Sequence, residues 1–142
     1  NVMMDRKTGE SMCVVDLDTV MPGSVLYDFG DMVRTTTSPT LEDERDLSRV
    51  NMRMDIFQKL AQGYLSTAGS FLTRAEKDLL AFSGKLISFT IGIRFLTDYL
   101  DGDHYFRVHR QGHNLDRART QFKLVQSIIE QEEAMQRLVD QL

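Results

Sequence analysis

Both prolines of this chain lie within its first 39 residues, and this asymmetry constrains the fold more than any other feature. Residues 1–39 also contain short apolar runs and turn signals, whereas residues 40–142 alternate long apolar stripes with brief breaks. Because proline interrupts helices and an apolar period of three to four residues is typical of them, the second part is predicted to be helical. We therefore expect a mainly α-helical chain.

The first part of the chain begins with a predicted β-hairpin. Asn1 to Met4 and Ser11 to Leu17 have the composition of strands, and Thr8-Gly9 between them supplies a turn. We expect Met12 to Val15 to form a short buried run and Met21 to Ser24 to form a loop. The sequence thus predicts one small hairpin ahead of the helices.

Three long helical patterns are predicted after residue 39. The first begins near Thr40, the second follows a capping box at Thr73 to Glu76, and the third runs from about Leu115 to the end. The second is apolar almost all round, which is typical of a central buried helix, and it ends at Asp101-Gly102-Asp103. The apolar stripe of the first helix consists of Leu47, Val50, Met54, Phe57, Ala61 and Tyr64.

Charge and cysteine content exclude several classes of function. The net charge is −4, and because nucleic-acid-binding proteins usually carry a basic excess, no nucleic-acid partner is expected. The single cysteine, Cys13, excludes an internal disulfide and suits a reducing compartment. The most apolar stretch, Leu86 to Leu96, is interrupted by polar residues, so we expect no membrane span. Without a signal peptide, a cytoplasmic location is expected.

The residues that most strongly suggest chemistry follow the second predicted strand. Carboxylates at the tip of an apolar strand are hard ligands of the kind Mg²⁺ prefers, although aspartates that begin a loop also cap turns. A D-x-D pair also occurs in glycosyltransferases. Haloacid-dehalogenase-type phosphatases have their threonine two residues after the aspartate pair and need repeated βαβ units, which are not indicated here. The segment reads V-V-D-L-D-T-V-M-P-G and contains Asp16, Asp18 and Thr19.

Other polar residues allow two interpretations each. Arg94 interrupts an apolar helix and either pairs with a buried acid or points into a cleft as a fork of donors. Tyr105 either packs or contacts a sugar ring. The acidic cluster at Asp28 to Asp31 is interpreted as structural, tying the loop to the start of a helix. A zinc site is not favoured, because Gly112 breaks any helical face shared by the histidines, His104, His109 and His113.

Several of these motifs together resemble a known family of kinases. Asn1, V-V-D-L-D-T-V-M-P-G and Y-D-F-G-D resemble the C-terminal lobe of the aminoglycoside-phosphotransferase and choline-kinase family. The segments G-I-R-F-L-T-D-Y-L-D-G-D-H-Y-F and H-N-L-D-R-A-R-T-Q are similar to the bacterial N-acetylhexosamine 1-kinases, and the similarity runs from Asn1 to about Val125. A sulfatase is not indicated, because Cys13 is followed by two valines rather than by C-x-P-x-R.

The resemblance implies a protein-kinase-like fold. Residues 1–39 would form a hairpin with the metal and substrate loop, and residues 40–142 a helical subdomain. The nucleotide lobe and the catalytic aspartate are expected upstream of Asn1, because a kinase-like catalytic aspartate lies five residues before the metal-binding asparagine. The 142 residues would then be part of a longer protein, without activity of their own, and apolar surface left uncovered would favour self-association.

The resemblance also implies a reaction and a set of site residues. An N-acetylhexosamine 1-kinase transfers the γ-phosphoryl group of ATP to the anomeric hydroxyl of N-acetylglucosamine or N-acetylgalactosamine, with Mg²⁺. Asn1 and Asp16 match the metal ligands, whereas the literal D-F-G-D at Asp28 to Asp31 lies too far past the hairpin. Two alternatives stay open, a kinase for another small hydroxyl acceptor and a non-catalytic helical interaction module. The expected sugar-binding residues are Asp18, Thr19, Arg94 and Tyr105.

Overall fold

The computed structural model describes residues 1–142 and confirms a mainly helical chain with one two-stranded sheet. We call residues 1–24 the hairpin segment and residues 25–139 the helical body. A short 3₁₀ turn at Leu47–Arg49 lies ahead of the second helix. The elements are β1 (Val2–Met4), β2 (Ser11–Val14), α1 (Val25–Thr37), α2 (Met54–Ala68), α3 (Arg74–Asp78), α4 (Leu80–Asp101) and α5 (His113–Val139).

The predicted hairpin is confirmed. β1 and β2 are antiparallel, with Val2 opposite Val14, and Gly9 in the connecting turn has a φ of +72°, which glycine adopts without strain. The Asp5 carboxylate accepts hydrogen bonds from the backbone amides of Thr8 and Lys7, at 2.7 and 2.8 Å. These bonds lower the pKa of Asp5, so local hydrogen bonds hold the turn.

The predicted burial of Met12 to Val15 is wrong. Every residue of β1 and β2 is exposed, and the buried core of the chain draws all its members from the helical body. The physical reason is that the sheet has only two strands and no layer of helices covers either of its faces. The apolar side chains of the hairpin segment therefore face solvent.

Helix α1 was not predicted as an element, since we expected the first helix near Thr40, but the interpretation of Asp28 to Asp31 as the start of a helix agrees with it. Ser24 caps its N-terminus by accepting a hydrogen bond from the backbone amide of Leu26. One side of α1 is buried through Phe29, Val33 and Thr37, spaced four residues apart. Residues 40–53 are instead an irregular segment, and the predicted apolar stripe becomes helical only from Met54 onward.

Close helix packing explains why glycines lie in α1 and α4. A Cβ added to Gly30 would lie 2.5 Å from the backbone oxygen of Ser83, and one added to Gly84 would lie 2.6 Å from Cγ1 of Val33. On the far side of α4, a Cβ on Gly92 would lie 2.8 Å from the ring of Phe122 in α5. These small residues let α1 and α5 approach α4 from two sides.

Helix α4 is central but only partly buried, which corrects the expectation of a helix buried all round. Its buried side is made mostly of small or polar residues, among them Ser83, Ser88 and Gly92. Leu80 and Phe95 are its large apolar residues in the interior, whereas several others are exposed. By length and composition alone α4 would suffice to cross a membrane, a criterion that core helices of soluble proteins also meet. The exposed large side chains are Phe82, Leu86, Phe89, Ile93 and Leu100.

Local signals mark several helix boundaries correctly, but the single helix predicted from the capping box to Asp101 is two helices. Leu79, with a φ of −106° and a ψ of 1°, interrupts it between α3 and α4. Thr73 and Glu76 form the predicted capping box, in which each side chain bonds the backbone amide of the other residue. Gly102 ends α4 in the left-handed conformation, with a φ of +101°. The last helix begins at His113, two residues before the predicted start.

Candidate functional site

The hairpin brings the two predicted metal ligands to the same end of the sheet. The backbone amide of Val15 donates to the carbonyl oxygen of Asn1 at 2.9 Å, so Asn1 lies across the ladder from the residue before Asp16. Asp16 itself has a φ of +61°, a left-handed conformation that non-glycine residues seldom adopt. The chain therefore turns away from the strand at the aspartate that the resemblance implicates.

The donor atoms at this end of the hairpin fit Mg²⁺. An amide oxygen from Asn1 and a carboxylate from Asp16 are hard oxygen ligands, and both residues are exposed. The structure contains no group of three or more His, Cys, Asp and Glu side chains arranged for a metal ion. Because Mg²⁺ is usually held by one or two carboxylates together with water and substrate phosphates, two protein ligands are enough.

The loop after Asp16 carries polar groups with no partner inside the chain. Asp18 makes no ion pair, and Thr19 lies beside a shallow groove of about 560 Å³ between the loop and the start of α1. Asp28, in the first turn of α1, lines the other side of that groove. The side chains of Asp18 and Thr19 are thus free to bond a ligand near the proposed metal site.

The other two predicted sugar-binding residues, Arg94 and Tyr105, are neighbours. Arg94 on α4 places its Nη2 atom 3.3 Å from the hydroxyl oxygen of Tyr105, and its guanidinium lies 5.5 Å from the centre of the tyrosine ring. Tyr105 is 74% exposed, so burial does not explain its position. The two side chains form one edge of an open cleft of about 290 Å³, lined further by Thr97, Asp98, Asp101 and Phe106.

Asp98 holds the loop that carries Tyr105. Its carboxylate is only 6% exposed and accepts hydrogen bonds from the backbone amides of Tyr105, at 2.7 Å, and Phe106, at 2.9 Å. Burial acts to raise the pKa of Asp98, but the amide donors outweigh it and the pKa is lowered. The carboxylate is therefore charged at neutral pH and fixes the backbone next to Arg94.

Asn114 connects this aspartate to the rest of the helical body. It is fully buried, and its Nδ2 atom donates to Asp98 and to Asp103, both at 2.8 Å. Its Oδ1 atom accepts from Arg117 at 2.9 Å. Sequence reasoning missed both Asp98 and Asn114, because a polar residue beside a helix end is ordinarily a cap. The Asp101-Gly102-Asp103 turn was the one available signal that the chain reverses here.

The structure does not unite all predicted sugar residues in one site. No hydrogen bond or ion pair joins the hairpin segment to Arg94 or Tyr105. Asp18 and Thr19 belong with the hairpin end, and Arg94 and Tyr105 with the α4 cleft. The chain thus presents two separate groups of candidate residues.

The buried histidine, His113, is engaged in contacts within the protein. The backbone amide of His109 donates to Nδ1 of His113, whose Nε2 atom lies 3.2 Å from the Asp43 carboxylate. Burial, together with the charge of Arg117, lowers the pKa of His113. A neutral ring that accepts at Nδ1 and donates at Nε2 satisfies both contacts, so His113 acts as a structural residue.

Comparison with models of known protein families finds none that matches this chain. The likeness to sugar kinases therefore depends on the quoted motifs.

Proposed function

We propose that the protein containing this chain transfers the γ-phosphoryl group of ATP to the anomeric hydroxyl of an N-acetylhexosamine, in a Mg²⁺-dependent reaction. The observation that carries the proposal is the hairpin register, which puts Asn1 next to the residue before Asp16. Phosphoryl transfer depends on positioning and charge neutralisation, so paired oxygen ligands for Mg²⁺ are the central requirement.

Each group of residues has a distinct role in this proposal. Asn1 and Asp16 hold Mg²⁺, which neutralises charge on the phosphates of ATP when bound. Asp18 and Thr19 bond sugar hydroxyls near the metal. Arg94 and Tyr105 bind another part of the sugar, with Arg94 donating hydrogen bonds and the tyrosine ring contacting the pyranose. The proton acceptor and the ATP-binding lobe are proposed to lie outside these 142 residues.

The test is a phosphoryl-transfer assay on the full-length protein with ATP, Mg²⁺ and either N-acetylglucosamine or N-acetylgalactosamine. Formation of the sugar 1-phosphate is expected, and none is expected from the 142-residue chain alone. Asp16→Asn should reduce kcat/KM by a factor of roughly 10² or more, as loss of a group that stabilises transition-state charge does. Absence of any sugar 1-phosphate from the wild-type protein would refute the proposal.

Asp55→Asn is the matched control for Asp16→Asn. Both aspartates are exposed, and Asp55 lies in the first turn of α2. The literal D-F-G-D motif at Asp28 to Asp31 is explained by α1, since Phe29 is in the core and Gly30 permits contact with α4. Asp55→Asn should leave kcat/KM unchanged. An equal loss of kcat/KM in both variants would show that Asp16 has no special role in the reaction.

A second candidate is a kinase for a cationic acceptor such as an amino alcohol or an aminoglycoside. The α4 cleft favours it in one respect, because the carboxylates of Asp98 and Asp101 also line the cleft. Asp98 is occupied by backbone amides, so Asp101 is the carboxylate free to bind an amine. A screen of hydroxyl acceptors distinguishes the two, since Asp101→Asn should impair only the cationic substrates.

A further inference from the structure

A second cavity lies on the other side of Phe106 from the α4 cleft. It has a volume of about 300 Å³, which is at the lower end of small-molecule sites, and it opens to solvent. Residues from α1, α4, α5 and the two connecting loops contribute to it. Its lining consists of Arg34, Glu42, Ile91, Phe95, Phe106, Arg107 and Arg117.

The charges around this cavity are unbalanced. Three guanidinium groups line it against the single carboxylate of Glu42, in a chain whose net charge is −4. Glu42 is shared, with Oε1 lying 2.9 Å from Arg34 and Oε2 lying 3.6 Å from Arg117. Asp31, outside the cavity, also pairs with Arg34. An excess of positive charge remains at the cavity even when Asp31 is counted.

One of the three arginines has no partner, and a second is held at long range. Arg107 has no carboxylate within ion-pair distance, and its side chain makes no hydrogen bond. Arg117 is largely buried, and its Nε atom lies 3.6 Å from the Glu42 carboxylate, too far for a hydrogen bond. Guanidinium groups near an apolar wall are stabilised by a charged acceptor. An anion in the cavity would give Arg107 the partner that it lacks.

The remaining walls of the cavity are apolar. Ile91, Phe95 and Phe106 contribute to the lining, and the guanidinium of Arg117 lies 5.3 Å from the centre of the Phe95 ring. A stacked guanidinium is held in a fixed orientation, which suits recognition of a tetrahedral oxyanion. The walls would accommodate an apolar group attached to that anion.

We propose that this cavity binds a small phosphate monoester, with the phosphoryl group among Arg34, Arg107 and Arg117 and the organic group against the apolar wall. A phosphate monoester offers three terminal oxygens to the three guanidinium groups, whereas a monocarboxylate offers only two. This site is separate from the proposed metal and sugar residues, and its occupancy does not depend on kinase activity.

The test uses phenyl phosphate as the probe and the 142-residue chain as the protein. Two-dimensional NMR at constant ionic strength should show saturable shifts of the Phe106 and Arg107 backbone amides and of the Arg107 Nε–H. Arg107→Gln should weaken phenyl phosphate about tenfold, as loss of a charged hydrogen bond does. The Arg107 side chain makes no hydrogen bond or ion pair within the protein, so this variant is expected to fold.

Arg6→Gln is the matched control for Arg107→Gln. It removes the same charge from an exposed, unpaired arginine in the hairpin turn, and it should leave the affinity unchanged. An equal loss of affinity in both variants would show that binding follows net charge and would overturn the proposal. Non-saturable shifts, shifts outside the cavity, or an affinity for acetate equal to that for phenyl phosphate would overturn it as well.

Discussion

The helical body buries its apolar side chains against one another, whereas the hairpin segment exposes nearly every residue to solvent. The body is held by long-range packing between α1, α2, α4 and α5. The segment is held by its own backbone ladder and by the Asp5 turn. The difference indicates that the body carries the stability of these 142 residues, while the segment carries the proposed metal ligands on a structure that contributes little to that stability.

The largest contrast is expected between Phe29→Ala and Val14→Ala. Phe29 is fully buried and contacts the rings of Phe57 and Tyr64, so its truncation leaves a cavity in the core. We expect a loss of about 3–5 kcal/mol in the free energy of unfolding for Phe29→Ala, and a change within about 0.5 kcal/mol for exposed Val14→Ala. Urea denaturation measures both. Comparable losses would mean that the hairpin segment shares the core.

The next contrast concerns the buried polar network around Asn114. Asn114→Ala removes one hydrogen bond from each of Asp98, Asp103 and Arg117, although Asp98 keeps its two backbone amides. We expect a loss of about 2–3 kcal/mol in the free energy of unfolding, since three hydrogen bonds to charged groups are lost from a buried residue. Asn51→Ala is the control, because Asn51 is exposed, and it should leave the free energy of unfolding nearly unchanged. Equal losses of unfolding free energy in the two variants would show that the network does not stabilise the loop carrying Tyr105.

A smaller effect is expected at the contact between α1 and α4. Gly30→Ala forces a methyl group to within 2.5 Å of a backbone oxygen, which we expect to cost about 1–3 kcal/mol. Gly63→Ala, in α2, has no atom within 4 Å of the new Cβ and should stabilise the chain by up to about 1 kcal/mol. Thermal unfolding should show a lower midpoint temperature for Gly30→Ala and a higher one for Gly63→Ala. A higher midpoint temperature for both variants would rule out the close contact between α1 and α4.

What the sequence predicted, and what it did not, follows the same division between local and long-range causes. The capping box at Thr73 and the turn at Gly9 depend on neighbouring residues only, and both were predicted correctly. The exposure of Met12 to Val15 depends on whether another layer covers the sheet, which an apolar run does not encode. Helix α1 was missed because Gly30 and the threonines at its end have low helix propensity, and packing against α4 overrides it.

The residues of the candidate site also differ in whether a local pattern or a long-range contact defines them. Asp16 was found because a carboxylate at a strand end is a local signal, and the hairpin register places Asn1 opposite Val15, the residue before it. Arg94 and Tyr105 were found through the resemblance, and their contact came only with the structure. Asp98 and Asn114 were missed because the carboxylate and the amide meet across a loop reversal. No pattern of spacing indicates which donors a buried aspartate will receive.

The smallest predicted effect is a pH dependence confined to the helical body. The pKa of His113 is lowered from 6.5, chiefly by burial and then by Arg117, with Arg110 and His109 acting the same way and Asp43 opposing them. Between the native pKa and 6.5 the unfolded chain therefore binds more protons than the folded one. The free energy of unfolding should fall as the pH drops below 6.5, because the native ring must stay neutral to accept the His109 amide.

Urea denaturation at pH 7.5 and at pH 5.5, with and without His113→Gln, measures this effect. The difference in unfolding free energy between the two pH values should shrink in the variant, which has no proton to gain at that position. The hairpin segment contains no histidine, so its backbone amide signals should keep their positions through the same titration while those around His113 shift. A pH dependence that survives His113→Gln unchanged would show that another group causes it. Equal shifts of the hairpin signals would show that the two regions are coupled and that the helical body is not the separate unit inferred from its core.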